Sequence, residues 1–438
     1  MINFLIRING IVDLKKLIIG YHLNLNRLLL FISIGITLDL IIKVLYYSSI
    51  FFNEKVKIMD VKPYKFVIIP DSFKGSLSSI EISNIIEEQI KSIFSNANII
   101  KIPIADGGEG TVDSFLQFGG RKVNVTVNNP YFEKMDAFYG LIENDNTAVI
   151  EMAVCCGLPL VENRKDPSLT STYGVGQLIK DALEKGVNKI ILGLGGSCTN
   201  DGGTGCLAAL GVKFYNANNE AFIPVGGTLE NIKGIDIANL DDRLKAVELI
   251  TMCDIDNPLY GKDGAAYIFS PQKGANSKMV EYLDYNLKQF VRIVNDEFGF
   301  ANWSFPGAGA AGGMGFGIKA FLNSKIQMGI DTILDIVKFD KIIEDVDLIF
   351  TGEGKLDSQS LRGKVVIGVA RSAKKQNKKV VAIVGVLEES GKEALNEGVS
   401  EIIVTNYKKL PFEKAKLRAK EDMIYVLNKY LSELDCKS

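Results

Sequence analysis

The fold is decided by a stretch that reads KFVIIPDSFKGSLSSIEISNIIEEQIKSI, from Lys65 to Ile93. Its first five residues are rich in β-branched and aromatic side chains, which favours a strand. Ser78 and Glu81 have the spacing of a helix capping box, and isoleucines then recur at helical intervals, at positions 82, 86, 90 and 93. The stretch therefore predicts a strand, a turn over residues 70–75 and an amphipathic helix, the first unit of a parallel sheet covered by helices.

The same alternation continues through the rest of the chain. Further strands are predicted at residues 99–104, 148–152, 189–194, 247–252, 346–350, 380–384 and 401–404. Most of the glycine- and aspartate-rich loops follow the carboxyl ends of these strands, which is the edge where open parallel sheets bind ligands. Because 438 residues exceed what one compact core usually holds, we expect an α/β protein with two domains.

Composition limits the partners and the chemistry. The formal net charge of -2 supplies no basic surface for nucleic acid, so small molecules are the expected partners. None of the six cysteines forms a C-x-x-C pair, which argues against zinc or redox chemistry and favours a reducing cytoplasm. His22 is the only histidine and lies near the N-terminus, so proton transfer in the body must use Asp, Glu, Lys or Cys.

The first 60 residues differ from the rest. Residues 28–52 form a nearly continuous apolar run that is long enough to span a bilayer. Asp39 and Lys43 interrupt the run, and each costs roughly 2.5–3.5 kcal/mol near the centre of a membrane. Two interpretations stay open: a membrane anchor at residues 28–52, or a start codon assigned too far upstream, with translation beginning at Met59. In either case we expect the catalytic part in the cytoplasm, tethered to the inner face of the membrane only under the first interpretation.

A glycine-rich loop follows the strand at residues 189–194 and reads GGSCTNDGGTG, from Gly195 to Gly205. Glycines let backbone N–H groups approach an anion, and the N-terminus of the following helix adds partial positive charge, so the loop predicts phosphate binding. Asp201 would repel a phosphate there unless it binds Mg²⁺ or accepts a proton from an attacking hydroxyl. The alternative is that Asp201 only caps the helix.

Two further acidic loops follow predicted strands. Residues 351–360 read TGEGKLDSQS, and residues 253–258 read CDIDNP. No part of the chain matches the Walker A pattern G-x-x-x-x-G-K-[ST], so a P-loop is not expected. These carboxylates and Lys355 could hold Mg²⁺ and a phosphate, and the alternative is a solvated loop of salt bridges.

The segment GAGAAG, at residues 307–312, formally matches the dinucleotide motif G-x-G-x-x-G. It follows Trp303–Pro306 rather than a predicted strand, so the context of a dinucleotide site is missing. A glycine loop that closes over phosphates suits the segment better, and a plain packing segment is the alternative.

Taken together, these loops resemble the bacterial glycerate kinase family (type 1). The resemblance is carried by seven motifs in order: PDSFKGS (70–76), ADGGEGT (105–111), TNDGG (199–203), DNPL (256–259), PQKGA (271–275), AAGG (310–313) and TGEGKLD (351–357). Ala308 and Val366 stand where the family often has glycine and proline, and neither departure removes a charged group. The similarity runs from about residue 65 to the C-terminal region, and the first 60 residues have no counterpart in it.

The resemblance implies an ATP- and Mg²⁺-dependent phosphorylation of D-glycerate, with 2-phosphoglycerate as the favoured product. It also implies a flavodoxin-like parallel-sheet domain formed from both ends of the body, residues 61–128 and 345–438. A second α/β domain, residues 129–344, would be inserted between them, and residues 1–60 would form a hydrophobic extension. The active site would then lie in the cleft between the domains, where closure excludes water.

The resemblance also implies roles for individual residues. Asp201 and Lys74 are the catalytic candidates, and D-glycerate would be bound by Asp71, Ser72, Lys74, Asp106 and Asn200. The nucleotide and its phosphates would be bound by Gly195, Gly196, Ser197, Gly312, Gly313, Gly352, Gly354 and Lys355. Mg²⁺ would be held by Asp254 and Glu353.

Two other hypotheses remain open at this point. The motif at residues 307–312 would suit an NAD-dependent dehydrogenase, which an NADH absorbance change would reveal. The apolar run at residues 28–52 would suit a membrane-anchored nucleotide-binding module, which would bind nucleotide without turnover. The sequence leaves the oligomeric state open.

Overall fold

The computed structural model describes residues 63–104, 107–108, 110–117, 119–142 and 146–435. From Tyr64 onward the described residues form one compact unit. The predicted apolar segment at residues 28–52 and the candidate Asp106 lie outside the described residues. Within the ranges given, no helix is long and apolar enough to cross a membrane.

The strands of the described residues are short. In chain order they are β1 (Lys65–Pro70), β2 (Asn98–Lys101), β3 (Arg121–Asn128), β4 (Lys134–Ile142), β5 (Thr147–Glu151), β6 (Lys189–Gly193), β7 (Lys213–Tyr215), β8 (Ala221–Phe222), β9 (Gly234–Asp236), β10 (Glu248–Met252), β11 (Lys325–Gln327), β12 (Leu348–Leu356), β13 (Val380–Leu387) and β14 (Glu401–Val404).

Helices alternate with these strands. In chain order they are α1 (Ser79–Ile93), α2 (Thr111–Leu116), α3 (Ala153–Cys156), α4 (Tyr173–Glu184), α5 (Thr204–Ala209), α6 (Ala265–Phe269), α7 (Ser277–Phe298), α8 (Ala310–Leu322), α9 (Gly329–Ile336), α10 (Phe339–Ile342), α11 (Val365–Lys374) and α12 (Phe412–Asp435). The predicted capping box of α1 is confirmed, because the Ser78 hydroxyl accepts from the Glu81 N–H and the Glu81 carboxylate accepts from the Ser78 N–H.

A five-stranded parallel sheet is built from both ends of the described chain, in the order β14-β13-β12-β1-β2. Phe66 of β1 lies between Leu348 of β12 and Ile99 of β2. Helices cover both faces of a parallel sheet, which explains why β1 is apolar without alternation and why Phe66 to Ile69 are fully buried. On one face α1 and α12 contribute to the core, and α11 lies on the other.

A six-stranded mixed sheet has the order β11-β10-β6-β5-β4-β3. Strands β11, β10, β6 and β5 run parallel to one another, and β4 and β3 extend the sheet in antiparallel fashion. Strands β8, β7 and β9 form a small antiparallel sheet beside it. The predicted α/β class with parallel sheets is therefore confirmed.

The two large sheets share part of one hydrophobic core. Val67 and Ile69 of β1 belong to the same buried cluster as Ile191 of β6 and Met252 of β10. The predicted domain limits stay a prediction; since β3 pairs within the six-stranded sheet, we propose that the first boundary lies nearer residue 120 than residue 128. The shared core fixes the carboxyl ends of β1, β12, β6 and β10 around a common cleft.

Candidate active site

A cleft of about 990 Å³ opens at the carboxyl ends of strands from both sheets. Residues after β1 and within β12 line it from the five-stranded sheet, and residues after β6 and β10 line it from the other. The sequence predicted ligand binding at this edge, because ligands of open parallel sheets bind just beyond the carboxyl ends of the strands.

The loop after β1 contributes Asp71, Ser72 and Lys74 to the cleft wall. The Asp71 carboxylate accepts a hydrogen bond from the backbone N–H of Ser72 at 2.6 Å, which holds the start of the loop. The loop then closes on itself through a hydrogen bond from the Phe73 N–H to the Leu77 carbonyl, at 2.8 Å. The structure thus brings together three of the predicted substrate-binding residues.

The loop after β6 contributes Gly195, Gly196 and Ser197. Gly195 lies so close to the backbone that a Cβ added there would be 2.6 Å from the Cα of Gly108. Gly196 has a φ of +72°, which favours glycine. The three predicted phosphate-binding residues of this loop therefore line the cleft, and the backbone at Gly195 and Gly196 has a conformation that requires glycine.

Lys273 is a buried lysine beneath this loop, with only 2% of its surface exposed, and it lines the cleft floor. Its Nζ donates to Ser197 Oγ at 2.9 Å and to the Thr199 carbonyl at 2.7 Å. Burial lowers the pKa of Lys273 to about 8, against the opposing influence of Cys198 and Asp201. Lys273 was not among the predicted site residues, and its signal in the sequence was its place in the family motif PQKGA.

Asp201 is fully buried and is not among the residues that line the cleft. Its Oδ2 accepts from the Thr172 N–H and hydroxyl, both at 2.8 Å, and from the Gly205 N–H at 3.3 Å. Its Oδ1 accepts from the Gly203 N–H at 3.1 Å. Burial raises the pKa of Asp201, while these hydrogen bonds lower it. The geometry favours the helix-capping alternative, and a catalytic role for Asp201 stays an untested prediction.

Asn200 and the glycine pair at 312–313 also lie away from the cleft lining. The Asn200 side chain is fully buried, and neither of its amide atoms has a hydrogen-bond partner among the described residues.

A Cβ on Gly312 would overlap the Thr199 carbonyl, and one on Gly313 would be 3.1 Å from the Cα of Gly202. These glycines therefore let α8 approach the 199–202 loop, while Ala310 and Ala311 form the adjoining cleft surface.

The motif at residues 307–312 has no strand before it in the structure, since residues 300–309 form neither helix nor strand. Gly309 is held against the Pro258 carbonyl, which a Cβ would overlap. The strand that precedes the motif in a dinucleotide site is therefore absent here, as the sequence predicted.

Glu353 in β12 is a buried carboxyl group at the cleft surface, with 6% of its surface exposed. Its Oε1 has no hydrogen-bond partner among the described residues. Burial raises the pKa of Glu353 to about 7, and the nearby Asp71 adds to the rise. A buried carboxyl group with one oxygen left without a partner and a pKa near neutrality is suited to exchange a proton or to take up a cation.

The neighbours of Glu353 differ in their positions. Gly352 is packed against the Ile383 carbonyl and does not line the cleft, whereas Gly354 does. Lys355 lines the cleft but pairs with Glu388 at 2.6 Å and with Asp357 at 3.3 Å. This loop therefore contains salt bridges, as the alternative interpretation of residues 351–360 predicted.

Asp254, the other predicted Mg²⁺ ligand, lines the cleft and accepts from the Gly329 N–H at 2.7 Å, at the start of α9. The described residues contain no group of three or more His, Cys, Asp or Glu side chains placed to hold a metal ion. Mg²⁺ at a phosphoryl-transfer site commonly takes one or two carboxylates together with phosphate oxygens and water. The orphan oxygen of Glu353 fits such a site.

One wall of the cleft is apolar and was not predicted from the sequence. It is formed near the start of α12 and the end of β13, by Val386, Leu410, Phe412, Ala415 and Ala419. Small-molecule sites combine such apolar surface with a few placed polar groups. The cleft thus combines an apolar wall, two loops that the sequence predicted to bind anions, and an acidic group in one space.

The chain is similar to known proteins over most of its length. A family model described as the glycerate kinase family matches residues 66–432. A glycerate kinase of Bacillus cereus is 44% identical over 82% of this chain and 95% of its own length. A glycerate 2-kinase of Escherichia coli is 44% identical over 74% of this chain and 85% of its own length.

A solved structure gives the same result. The crystal structure of a protein provisionally assigned as glycerate kinase 2 from Salmonella typhimurium LT2 superposes with a TM-score of 0.73 and 39% identity. It covers 85% of this chain and 99% of the crystallised chain. The resemblance drawn from seven motifs and the predicted class of enzyme are therefore confirmed, and the chain belongs to the glycerate kinase family.

Proposed function

We propose that this chain transfers the γ-phosphoryl group of ATP to D-glycerate and releases ADP and 2-phosphoglycerate. The observation that carries the proposal is that Lys74, Ser197 and Glu353, whose Oε1 has no hydrogen-bond partner among the described residues, line one cleft. Two anionic substrates need cationic and N–H or O–H donors, and the hydroxyl that attacks needs an acceptor for its proton.

The parts of the cleft suggest how the substrates divide it. We assign the adenine ring to the apolar wall near Phe412, because a flat, weakly polar ring gains most from apolar contact. The phosphates then lie over Gly195–Ser197, and the glycerate carboxylate lies near Ser72 and Lys74. This division places the reacting groups between the two loops.

Glu353 is assigned as the acceptor of the proton from the attacking hydroxyl. The hydroxyl oxygen forms a bond to the γ-phosphorus, the bond from that phosphorus to the bridging oxygen of ADP breaks, and the proton passes to the Glu353 carboxylate. A pKa of about 7 leaves a large share of the group ionised at neutral pH. Mg²⁺, when bound at Asp254 together with the phosphates, would neutralise phosphate charge; Glu353 would be a second ligand only if another group accepts the proton.

The test uses the purified full chain with D-glycerate, ATP and Mg²⁺. We expect ADP release that requires D-glycerate, and a product that ³¹P NMR and conversion by enolase identify as 2-phosphoglycerate. L-glycerate serves as the matched control for the acceptor. Absence of glycerate-dependent ADP release, or an NADH absorbance change with D-glycerate and NAD⁺, would contradict the proposal.

The same proposal gives a location. A kinase that draws on ATP is expected to work in the cytoplasm, and the cysteines of the described residues agree with a reducing compartment. Cys155, Cys156, Cys198, Cys206 and Cys253 are all free thiols in the structure and all buried.

A further inference from the structure

The buried ammonium group of Lys273 constrains a hydroxyl group at the cleft surface. Lys273 Nζ is 2.9 Å from Ser197 Oγ, and the two residues are 76 positions apart in the chain. An ammonium group can only donate hydrogen bonds, so the Ser197 oxygen is the acceptor in this pair. The hydroxyl proton of Ser197 must then point away from Lys273.

Ser197 is itself 9% exposed, and its remaining surface lines the cleft. Since Lys273 occupies one lone pair of Ser197 Oγ, the O–H is left to donate toward the cleft. A hydroxyl that accepts from a cation is also a stronger donor, because the charge polarises its O–H bond. The pair therefore presents a fixed donor beside the backbone of Gly195 and Gly196.

A second hydrogen bond fixes the lysine. Its Nζ donates to the carbonyl oxygen of Thr199 at 2.7 Å, so the ammonium group joins both arms of the loop that bends between residues 197 and 199. Burying a lysine is costly, and 98% burial is rarely kept for a residue that only fills space. The free-energy cost of burying the Lys273 ammonium group indicates that its charge has a function.

We propose that Lys273 is a positioning residue that fixes the Ser197 hydroxyl as a hydrogen-bond donor to a substrate oxyanion in the cleft. This inference rests on the proposed function. The oxyanion can be the γ-phosphate of ATP or the carboxylate of D-glycerate, since both present acceptor oxygens. Steady-state constants for the two substrates distinguish these sources.

The charges around Lys273 define its pH dependence. Cys198 and Asp201 are the titratable groups that influence it. Burial raises the pKa of Cys198 to about 12, so that thiol stays neutral in the working range. Asp201 accepts all of its hydrogen bonds and is the negative charge nearby. As pH rises through about 8, Lys273 loses its proton and gains a lone pair that can accept the Ser197 O–H. The hydroxyl is then no longer directed toward the cleft, and oxyanion binding weakens.

The experiment compares Lys273→Met, Ser197→Ala and the double variant, with Ser197→Thr as the conservative variant. We expect each single loss to lower kcat/KM roughly 100-fold, as removal of one positioned oxyanion donor does. The double variant should be no more than about threefold worse than Lys273→Met, because the lysine acts through the serine. Ser197→Thr should retain most of the activity and the alkaline decline near pH 8, and Ser197→Ala should lose that decline.

Lys245→Met is the matched control for loss of a lysine, since Lys245 is 82% exposed and should leave kcat/KM unchanged. A rise in KM for D-glycerate assigns the carboxylate as the oxyanion, and a fall in kcat or a rise in KM for ATP assigns the phosphate. Fully additive losses, or Ser197→Ala with near-normal turnover and an unchanged alkaline decline, would overturn the inference. If Lys273→Met does not fold, the two serine variants decide it alone. Wild-type chain without glycerate-dependent turnover contradicts the proposed function instead.

Discussion

The Asp201 carboxylate binds Thr172 twice, accepting from its backbone N–H and from its hydroxyl at 2.8 Å each. The same hydroxyl accepts from the Cys206 N–H at 2.9 Å, so the contact joins the start of α4 to α5. Asp201 therefore has a structural task whatever its part in catalysis.

The first prediction concerns Asp201→Asn. An amide offers one oxygen and one NH₂ group, and the NH₂ group would face a backbone N–H donor at Gly203 or Thr172. We expect the free energy of unfolding to fall by about 2–4 kcal/mol, measured by urea denaturation. Asp242→Asn is the control, since that carboxylate is 85% exposed. A variant that keeps wild-type stability and loses turnover would instead favour Asp201 as the catalytic base.

The second prediction concerns the reaction of Glu353→Gln. The amide cannot accept the proton of the attacking hydroxyl, so kcat should fall about 10²–10⁴-fold, measured by ADP release. The Mg²⁺ concentration that gives half-maximal rate should stay the same if Glu353 serves only as proton acceptor. A large increase in that concentration would assign Glu353 to the metal.

The third prediction concerns stability and pH at the same residue. Folding raises the Glu353 pKa from 4.5 to about 7, so the native state binds more protons than the unfolded chain between these values. The free energy of unfolding should therefore decrease as pH rises from about 4.5 to 7. Glu353→Gln lacks this pH-dependent decrease in the free energy of unfolding. At pH 8 in EDTA the variant should therefore be more stable than wild type by about 1–3 kcal/mol. Equal stability of the two proteins at pH 8 would contradict the raised pKa.

The fourth prediction concerns the loop after β1. Lys74→Met removes a positive charge beside the proposed carboxylate site and should raise KM for D-glycerate roughly 10- to 100-fold, with KM for ATP little changed. Steady-state kinetics with each substrate varied in turn measures this. An increase confined to KM for ATP would move Lys74 to the phosphate site.

The fifth prediction concerns the glycine loop after β6. Gly195→Ala places a methyl group 2.6 Å from the Cα of Gly108, so the loop must shift and turnover should fall at least about tenfold. Gly234→Ala is the matched control, because its nearest neighbour would be an ordinary contact, Tyr215 Cβ at 3.9 Å. Normal turnover in Gly195→Ala would remove this loop from the phosphate site.

Local features of the fold were predictable from sequence because they depend on neighbours in the chain. The strand at residues 65–69, the capping box at Ser78 and Glu81 and the strand at residues 189–194 were predicted to within a residue or two of their positions. Hydrophobic period and capping chemistry act over a few residues, so the chain itself carries that information. The antiparallel strands β3 and β4 were missed although they span eight and nine residues, because strand propensity depends on packing against neighbouring strands.

The sequence by itself determined the α/β class, the family and the loops that line the cleft, because strand ends and motif spacing depend on residues close together in the chain. Only the tertiary structure decided which side chains of those loops face the cleft. In the structure Asp201 and Asn200 are buried, Glu353 Oε1 has no hydrogen-bond partner among the described residues, and Lys273 contacts Ser197. Those outcomes depend on contacts between residues far apart in the chain, whose burial and hydrogen bonds exist only once the two sheets pack together.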